Sequence, residues 1–408
     1  MSSNWPLVPL YELTTKVGSG ATPRGGKNVY NTDGTAFIRS QNVHDNEFSF
    51  DGLARITESA AKALDGVRVD TDDVLVCITG ESVTRTSLVD PKALPARVSQ
   101  HVAIVRADKE RLEPRYLKAA LLSPDIKGQL NSLSEAGATR RALTKAHLQN
   151  LRIPLPPLSE QKRIARVLGA IDELVNVNEQ LASTMDELFH SIWTKLCTDV
   201  ATPVAKLTLA DFCTTQYGHT APATSAETGV QMLRVTDINK QNWVEWEKVP
   251  FCQIDAVALS KYRLNRGDLL VARMADPGKS AMVERDVDAV FASYLVRLKP
   301  HRDEMSLYLF GFLKSSAFAE YAAGAMTGSV QKHMNAKVIA AAPITPPNAA
   351  VIAEFNRIAT PIREQLATCI SEAQRLRRTR AELLPLLLSG GIWVDDSMGP
   401  GAEGLEWA

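Results

Sequence analysis

The sequence lacks several features that would assign it to a specialised class of protein. Long apolar runs are missing, since none approaches the roughly 20 residues that a membrane-spanning helix needs. The N-terminus has no basic segment followed by an apolar core, so no signal peptide is expected. Cysteine is scarce, and its dispersed positions are typical of free thiols in a reducing compartment. No CxxC pair occurs among Cys77, Cys197, Cys213, Cys252 and Cys369. We therefore expect a cytoplasmic chain that does not enter a membrane.

An excess of charge is also absent, because 46 Lys and Arg residues balance 46 Asp and Glu residues. The composition therefore gives no global basic signature of a nucleic-acid or membrane-surface binder. A neutral protein can still bind DNA when its cations cluster on one face. The 408 residues, 45% of them hydrophobic, suffice for two domains of ordinary size with real cores.

What the sequence does contain is an internal repeat of domain size. FIRSQNV at 37–43 returns as MLRVTDI at 232–238, and ALDGVRVDTDDVLV from 63 returns as ALSKYRLNRGDLLV from 258, both 195 residues later. YLKAALLS at 116 returns as YLFGFLKS at 308, and each copy ends in Pro-Pro, at 157 and at 347. The period is far longer than that of solenoid repeats, so each copy is a module. One chain is thus built to make the same kind of contact twice.

The predicted fold class is α+β, with two similar mixed α/β modules at 1–157 and 201–347. Short β-branched segments predict strands in each copy, such as AFIRS, DVLVCIT and HVAIVRA in the first and QMLRV, DLLVARM and AVFASYLVRL in the second. A helix follows the strands, at PRYLKAALLS or SLYLFGFLKS, and then a loop rich in small residues. Residues 391–408 are expected to form a flexible tail.

Two long helices are predicted after the Pro-Pro pairs, at 158–200 and 348–390. Ser159 is the predicted N-cap of the first, and Pro361 predicts a bend in the second. Apolar residues recur at spacings of three and four, which is the pattern of a coiled-coil seam. The first seam comprises Ile164, Leu168, Ile171, Val175, Asn178, Leu181, Met185, Leu188, Ile192 and Leu196; the second comprises Ile358, Ile362, Leu366, Cys369, Ala373, Leu376, Leu383 and Leu387. A long helix lying on a globular core is the alternative, but two such helices at equivalent points of a repeat favour pairing with each other. If the modules sit at opposite ends of the assembly, the pairing is an antiparallel coiled coil.

Motifs for catalysis and metal binding are missing. The segment PGKS lacks the first glycine of a phosphate-binding loop, because Arg273 holds that position. The seven histidines have no metal-ligand spacing. Asp72 and Asp73 form a carboxylate pair, but the repeat places Gly267 and Asp268 at the matching positions. A turn before a strand is therefore the better interpretation of this pair.

The string PLPPLSEQKRIA at 154–165 opens the first long helix, and ITPPNAAVIAEF stands at the equivalent point of the second copy. With the order module, helix, module, helix, these strings resemble the specificity subunit of type I restriction-modification systems. The resemblance covers nearly the whole chain, to about Gly390. The second copy departs from the pattern, because NAAVIA replaces SEQKRI and lacks the Glu-Gln pair.

The resemblance implies a non-catalytic subunit whose two modules each read one half of a split target in double-stranded DNA. It further implies that the paired helices space the modules and dock two methyltransferase subunits, and that restriction and translocase subunits join the complex. Those partners would use S-adenosylmethionine, ATP and Mg²⁺, and this chain would bind no cofactor and no metal. The sequence agrees, since it has neither a Gly-rich cofactor loop nor an Asn/Asp-Pro-Pro-aromatic motif; in TPPN at 345–348 the Asn follows the prolines.

Three pairs of equivalent loops supply candidate DNA-binding residues, because base reading needs donors and acceptors with cations nearby for the phosphates. The loop before the last apolar stretch offers Thr139, Arg140, Arg141 and Lys145 in the first module and Ser329, Gln331 and Lys332 in the second. The segment after the first matched strand offers Arg39, Gln41 and Asn42, against Arg234 and Thr236. The segment after the second matched strand offers Thr79, Ser82 and Arg85, against Arg273 and Lys279.

Each candidate has a structural alternative, a solvated loop or a side chain that stabilises a turn. The cluster RLRRTR at 375–380 is either a phosphate patch or a charged outer face of the coiled coil. Other functions also stay open. One is a specificity subunit that serves a fused restriction-methyltransferase enzyme, and another is a coiled-coil adaptor whose twin domains bind proteins. An enzyme with its active site between the modules is disfavoured by the missing motifs.

Overall fold

The computed structural model describes residues 5–135, 141–198, 207–227, 229–238, 242–326 and 333–392. The chain divides into two units, residues 1–173 with 376–408, and residues 174–375. The first unit includes the repeat copy at 1–157 (module 1), and the second includes the copy at 201–347 (module 2). Each unit also takes part of both long helices. Most of the predicted tail, from 393 onwards, lies outside the described residues.

Module 1 is built from two sheets and the helices that cover them. Its strands are β1 (Leu7–Pro9), β2 (Thr14–Ser19), β3 (Tyr30–Asn31), β4 (Thr35–Ile38), β5 (Ala54–Ile56), β6 (Arg68–Val69), β7 (Val74–Cys77), β8 (Thr86–Leu88), β9 (Ala96–Val98), β10 (Val102–Ala107) and β11 (Arg152–Pro154). Its helices are α1 (Glu58–Ala63), α2 (Pro114–Leu122), α3 (Pro124–Glu135) and α4 (Lys145–Asn150). One sheet has the order β2-β10-β7-β8 and the other the order β3-β5-β4-β9-β6. A separate pairing of β1 with β11 joins the two ends of the module.

The four-stranded sheet separates two hydrophobic cores. Strand β7 is buried along its whole length, which is why its sequence VLVC is continuously apolar. Since successive side chains of a strand point to opposite faces, Val74 and Val76 enter one core together with helix α2, whereas Leu75 and Cys77 enter the other. The sheet is thus the layer on which the rest of module 1 is assembled.

Module 2 repeats this arrangement. Its strands are β12 (Cys213–Tyr217), β13 (Val230–Leu233), β14 (Phe251–Cys252), β15 (Leu269–Ala272), β16 (Ser280–Met282), β17 (Ala289–Phe291) and β18 (Leu295–Pro300). Its helices are α6 (Val235–Ile238), α7 (Ala256–Tyr262), α8 (Ser306–Lys314), α9 (Ser316–Met326) and α10 (Ala336–Ala340). The sheet order β12-β18-β15-β16 matches β2-β10-β7-β8 of module 1, and a second sheet has the order β14-β13-β17. Strand β15 again sends alternate residues into two cores.

Two glycines show how closely the modules correspond. Gly20 donates its amide proton to Val102 O, and Gly218 donates to Leu295 O. A Cβ atom at Gly20 would lie 2.1 Å from the carbonyl oxygen of Val98, and one at Gly218 would lie 2.2 Å from that of Ala292. Both strands therefore need glycine where the chain leaves the sheet against a neighbouring backbone.

The paired aspartates of the sequence form a turn before a strand, as the repeat predicted. Asp73 accepts a hydrogen bond from the Asp70 amide at 2.7 Å, and its other oxygen accepts one from Arg106 Nε at 2.7 Å. Asp268 occupies the equivalent place and accepts from Arg297 at 3.1 Å. Asp72 has a positive φ of 70°, where module 2 has a glycine. These carboxylates hold the fold and are not a catalytic pair.

The long helices are α5 (Leu158–Cys197) and α11 (Ala349–Ser389). The N-cap prediction was wrong, because α5 begins at Leu158 and Ser159 lies inside its first turn. Gln161 explains the Glu-Gln pair of the first copy: its buried side chain accepts from the Glu113 amide at 2.9 Å and donates to Pro156 O at 2.9 Å. In the second copy Asn348 accepts from the Val351 amide at 3.0 Å instead. The two helix starts are therefore held by different means, and α11 continues through Pro361.

The predicted seam of α5 is wrong in the second half of the helix. Leu181 and Leu188 are 39% and 46% exposed, whereas Ala182 and Phe189 are completely buried. The buried face has shifted by one residue because Phe189 packs on module 2, with its ring 5.8 Å from that of Phe310. A strict seven-residue repeat drifts by about 20° per heptad on a straight helix, so this adjustment is small.

Within each unit, α5 and α11 pack antiparallel. In the first unit, Asp172 lies 2.6 Å from Arg380, while the N-terminal residues of α5 share a core with residues after 383. In the second, Asp186 lies 2.6 Å from Arg363. Three residues further along α5, Phe189 contacts Phe355, which precedes Arg363 in the chain. The predicted antiparallel coiled coil is thus present. No helix in the described part of the chain is long and apolar enough to cross a membrane.

Candidate nucleic-acid interface

In module 1, two of the candidate loops lie together at one end of the four-stranded sheet. The Ile78 amide donates to His101 O at 2.9 Å, and the Leu143 amide donates to Ile78 O at 2.8 Å. The Gly80 amide donates to Arg141 O at 3.0 Å. Residues 78–85, 99–101 and 141–143 therefore form one continuous surface, the module 1 loop edge.

The polar side chains of the module 1 loop edge differ in how freely they can reach a ligand. Thr79 Oγ1 lies 2.7 Å from His101 Nδ1, so the two form a hydrogen-bonded pair at the surface. Ser82 donates to Thr79 O at 3.5 Å. Arg141 is held by α3, because it donates to Asn131 at 2.8 Å and lies 3.3 Å from a Glu135 oxygen. Two other candidate cations, Arg85 and Lys145, are not held by α3 in this way. Arg85 is half-buried and Lys145 is exposed.

Module 2 has a matching loop edge, in which two of these backbone hydrogen bonds recur. The Arg273 amide donates to Tyr294 O at 3.0 Å, as Ile78 does to His101 O. The Met334 amide donates to Arg273 O at 2.9 Å, as Leu143 does to Ile78 O. Residues 273–279, 293–294 and 334 are therefore the module 2 loop edge. In it, Arg273, Tyr294 and Met334 occupy the positions of Ile78, His101 and Leu143.

The side chains of the module 2 loop edge are aromatic and cationic. The Arg273 guanidinium lies over the Tyr217 ring, 4.9 Å from its centroid. The Tyr217 hydroxyl accepts from the Ala336 amide at 2.9 Å, which fixes the ring. Tyr294 is 57% exposed, and Lys279 is exposed beside them. This surface offers cations for phosphates and flat groups for bases.

The candidates after the first matched strand of module 1 are mainly used inside the protein. Asn42 is completely buried, and its amide group donates to Ser49 O and Asp51 O, both at 3.1 Å. Arg39 donates to Gly52 O at 2.8 Å, and Gln41, although exposed, donates to the same oxygen at 3.1 Å. These side chains tie loop 39–52 together, so the turn-stabilising alternative describes them better than base contact.

Of the two matching candidates in module 2, one is used inside the protein and one is exposed. Arg234 donates to both oxygens of Asp237, at 2.9 and 3.0 Å, and these hydrogen bonds raise the pKa of the guanidinium. Its charge is thereby neutralised within the turn. Thr236 is exposed at the start of the short helix α6. Only Thr236 of this pair has a side chain that is free to meet a ligand.

Several predicted residues lie outside the described part of the chain, namely Thr139, Arg140, Ser329, Gln331 and Lys332. The arginine cluster at 375–380 is described, and much of it forms ion pairs along α11. Arg375 pairs with Glu372 at 3.0 Å and Arg378 with Glu382 at 2.9 Å. The charged helix face is therefore the better interpretation of this cluster.

Sequence reasoning missed His101 and Tyr294 of the loop edges, and Tyr217, which lies against Arg273. The repeat contained the signal for one pair, because His101 and Tyr294 directly precede the matched strands β10 and β18. Burial raises the pKa of Cys77, the thiol next to the module 1 loop edge, to about 11. Among the described residues, no group of three His, Cys, Asp or Glu side chains is placed to hold a metal ion.

Comparison with known proteins shows what the chain is similar to. Residues 2–184 match the family model of the type I restriction modification DNA specificity domain. The chain is 22% identical over 276 residues to the type I restriction enzyme EcoBI specificity subunit of Escherichia coli, covering 60% of this chain and 57% of that protein. It is 23% identical over 275 residues to the MjaVIII specificity subunit of Methanocaldococcus jannaschii, covering 61% and 64%. The chain is thus similar to type I restriction-modification specificity subunits, and its residues 2–184 match their DNA specificity domain.

A solved structure has the same fold. The S subunit of a type I restriction-modification system from M. genitalium matches with a TM-score of 0.57 at 14% identity, over 96% of this chain and 97% of that one. The sequence matches span less than two thirds of each relative named above. None of these matches favours the adaptor or the fused restriction enzyme.

Proposed function

We propose that this chain is the DNA-reading subunit of a type I restriction-modification complex, with each module recognising one half of a bipartite target in double-stranded DNA. One observation carries the proposal: the two loop edges share three equivalent backbone hydrogen bonds and differ in their side chains. A common frame with different donors, acceptors and aromatic rings is what two readers of different half-sites require.

The chain acts in this proposal as a scaffold without chemistry of its own. Two methyltransferase subunits dock on the paired helices α5 and α11, and restriction and translocase subunits complete the complex. The partners supply S-adenosylmethionine, ATP and Mg²⁺, and the assembly works in the cytoplasm, where its DNA is found. The exposed apolar side chains on α5 support a docking role, since Leu174, Val177, Leu181 and Leu188 lie on one face and are each 39–51% exposed.

The test is to express the chain with its methyltransferase subunit in a host without adenine methylation, and to map methylated adenines by long-read sequencing. We expect one split motif. Replacing residues 1–157 with the module of another specificity subunit is expected to change one half of the motif and leave the other intact. A motif in which both halves change together would contradict the two-reader proposal.

DNA binding by the purified complex separates this proposal from a protein-binding adaptor. A reader that neutralises several phosphates loses affinity steeply as salt rises, because counterions are released on binding. We expect that dependence together with protection of the split motif. An adaptor would show neither. The chain alone, incubated with DNA, S-adenosylmethionine, ATP and Mg²⁺, is expected to show no methylation and no cleavage.

A further inference from the structure

The correspondence between the two loop edges separates positions that keep their chemistry from positions that change it. Arg85 and Lys279 are at the same position, because the Cys77 amide donates to Arg85 O at 2.8 Å and the Ala272 amide donates to Lys279 O at 2.7 Å. Both modules thus place a cation there. A contact that both modules need, whichever DNA sequence each one reads, is a contact to the DNA backbone.

Three neighbouring positions change completely between the modules. Arg273 replaces Ile78, and Tyr294 replaces His101, as the paired backbone hydrogen bonds show. Tyr217 replaces Ser19, since each precedes the glycine that leaves the sheet and pairs with the equivalent residue of β18 or β10. Module 2 therefore has an arginine stacked on an aromatic ring where module 1 has an isoleucine beside a serine.

Arg273 also differs from the other arginines of its module. There are seven arginines at 201–347, and six have an acceptor for the guanidinium inside the protein. Those pairs are Arg234–Asp237, Arg263–Asp288, Arg266–Glu364, Arg285–Ser371, Arg297–Asp268 and Arg302–Glu304. The Arg273 guanidinium makes no hydrogen bond or ion pair with any residue that the structure describes, and its Nε is buried. The ring of Tyr217 fixes this side chain without using its terminal donors.

We propose that Arg273, held against Tyr217, reads a guanine in the half-site of module 2. This inference rests on the proposed function and adds to it the base and the residue that recognises it. The terminal nitrogens of an arginine donate to O6 and N7 of guanine in the major groove, and no other base pair presents both acceptors in that arrangement. Stacking removes most of the rotamer freedom that such a contact would otherwise cost. Module 1 has no arginine here, so its half-site is read by other side chains.

The experiment uses the full chain in complex with its methyltransferase subunit. Replacing residues 201–347 with another module first identifies which half of the methylated motif belongs to module 2. Arg273→Ala is expected to relax one guanine of that half, with discrimination falling by about fivefold or more, and to leave the other half unchanged. Arg273→Lys keeps the charge without the planar pair of donors, so it should relax the same guanine while preserving the salt dependence of binding.

Arg263→Ala is the matched control, because Arg263 is a surface arginine of the same module that pairs with Asp288 at 2.8 Å. It should leave the motif unchanged. Binding to DNA with 7-deazaguanine at the assigned position tests the contact directly, since that base lacks N7. The wild-type complex should lose affinity for it, and the Arg273→Ala complex should not distinguish it from guanine. Thermal melts of each variant check that the module still folds.

The outcomes separate the two levels of inference. Absence of any split methylation motif with the wild-type complex would overturn the proposed function. A split motif whose module 2 half contains no guanine, or an Arg273→Ala variant that folds and keeps full guanine specificity, would overturn the role of Arg273 alone. Loss of both halves with Arg273→Ala in a folded protein would also overturn it, because a base contact acts on one position.

Discussion

The buried ion pair between Arg363 of α11 and Asp186 of α5 gives a sharp test of what holds the second unit together. The two side chains are 4% and 2% exposed and lie 2.6 Å apart. Glu284 contacts the same guanidinium, and the rings of Phe189 and Phe310 lie about 5 Å from it. Burial lowers the pKa of Arg363, while Asp186 raises it. The arginine thus compensates buried carboxylates.

Arg363→Met keeps an unbranched side-chain stem and removes the charge. Two carboxylates would then be left buried without their cation, which typically costs about 3–5 kcal/mol. In a folding unit of roughly 200 residues each kcal/mol lowers Tm by about 2–4 °C, so we expect a fall of about 6–20 °C. Thermal unfolding followed by circular dichroism and by tryptophan fluorescence would measure the change, with the two probes compared because the protein has two units.

Arg357→Met is the control on the same helix, since Arg357 is 70% exposed and pairs with Glu354 at the surface. Its effect should be close to the error of the measurement. Replacing Asp186 and Glu284 by leucine in the Arg363→Met background should recover much of the loss, because apolar groups can fill a buried ion-pair site. The reasoning fails if Arg363→Met and Arg357→Met have equal effects.

Three further predictions concern single side chains. Burial lowers the pKa of Lys314 from 10.5 to about 8. The unfolded chain therefore binds more protons than the folded one between pH 8 and 10.5, and stability should rise across that window. Lys314→Met should abolish this rise and stabilise the protein at pH 7 by up to about 3 kcal/mol, measured as urea midpoints at several pH values. Gly218→Ala should destabilise strongly because its Cβ would meet a backbone oxygen, whereas Gly324→Ala, with open space in a helix, should be neutral or stabilising by up to about 1 kcal/mol in thermal melts. Tyr116→Phe should cost about 1–3 kcal/mol in urea unfolding, since it leaves Pro154 O without its 2.8 Å hydrogen bond; no loss would show that water replaces the hydroxyl.

The sequence alone was sufficient for the architecture. The repeat predicted two like modules, and the structure has matching sheets in both. The Pro-Pro pairs at 157 and 347 predicted where the long helices start, and α5 and α11 begin at 158 and 349. These features are local or periodic: a strand buried on both faces must be apolar throughout, and a helix cannot easily pass a Pro-Pro pair.

Tertiary structure decided which polar side chains are free to contact a ligand. Arg39, Asn42 and Arg234 had suitable chemistry in suitable loops, but the fold uses their side chains within turns. His101 and Tyr294 were overlooked because they come just before strands, yet backbone hydrogen bonds bring them to the loop edges. The seam of α5 shifted for the same reason, since aromatic contacts with module 2 outweighed the heptad pattern. Whether a donor is free depends on neighbours that are distant in the chain, and spacing along the sequence does not specify them.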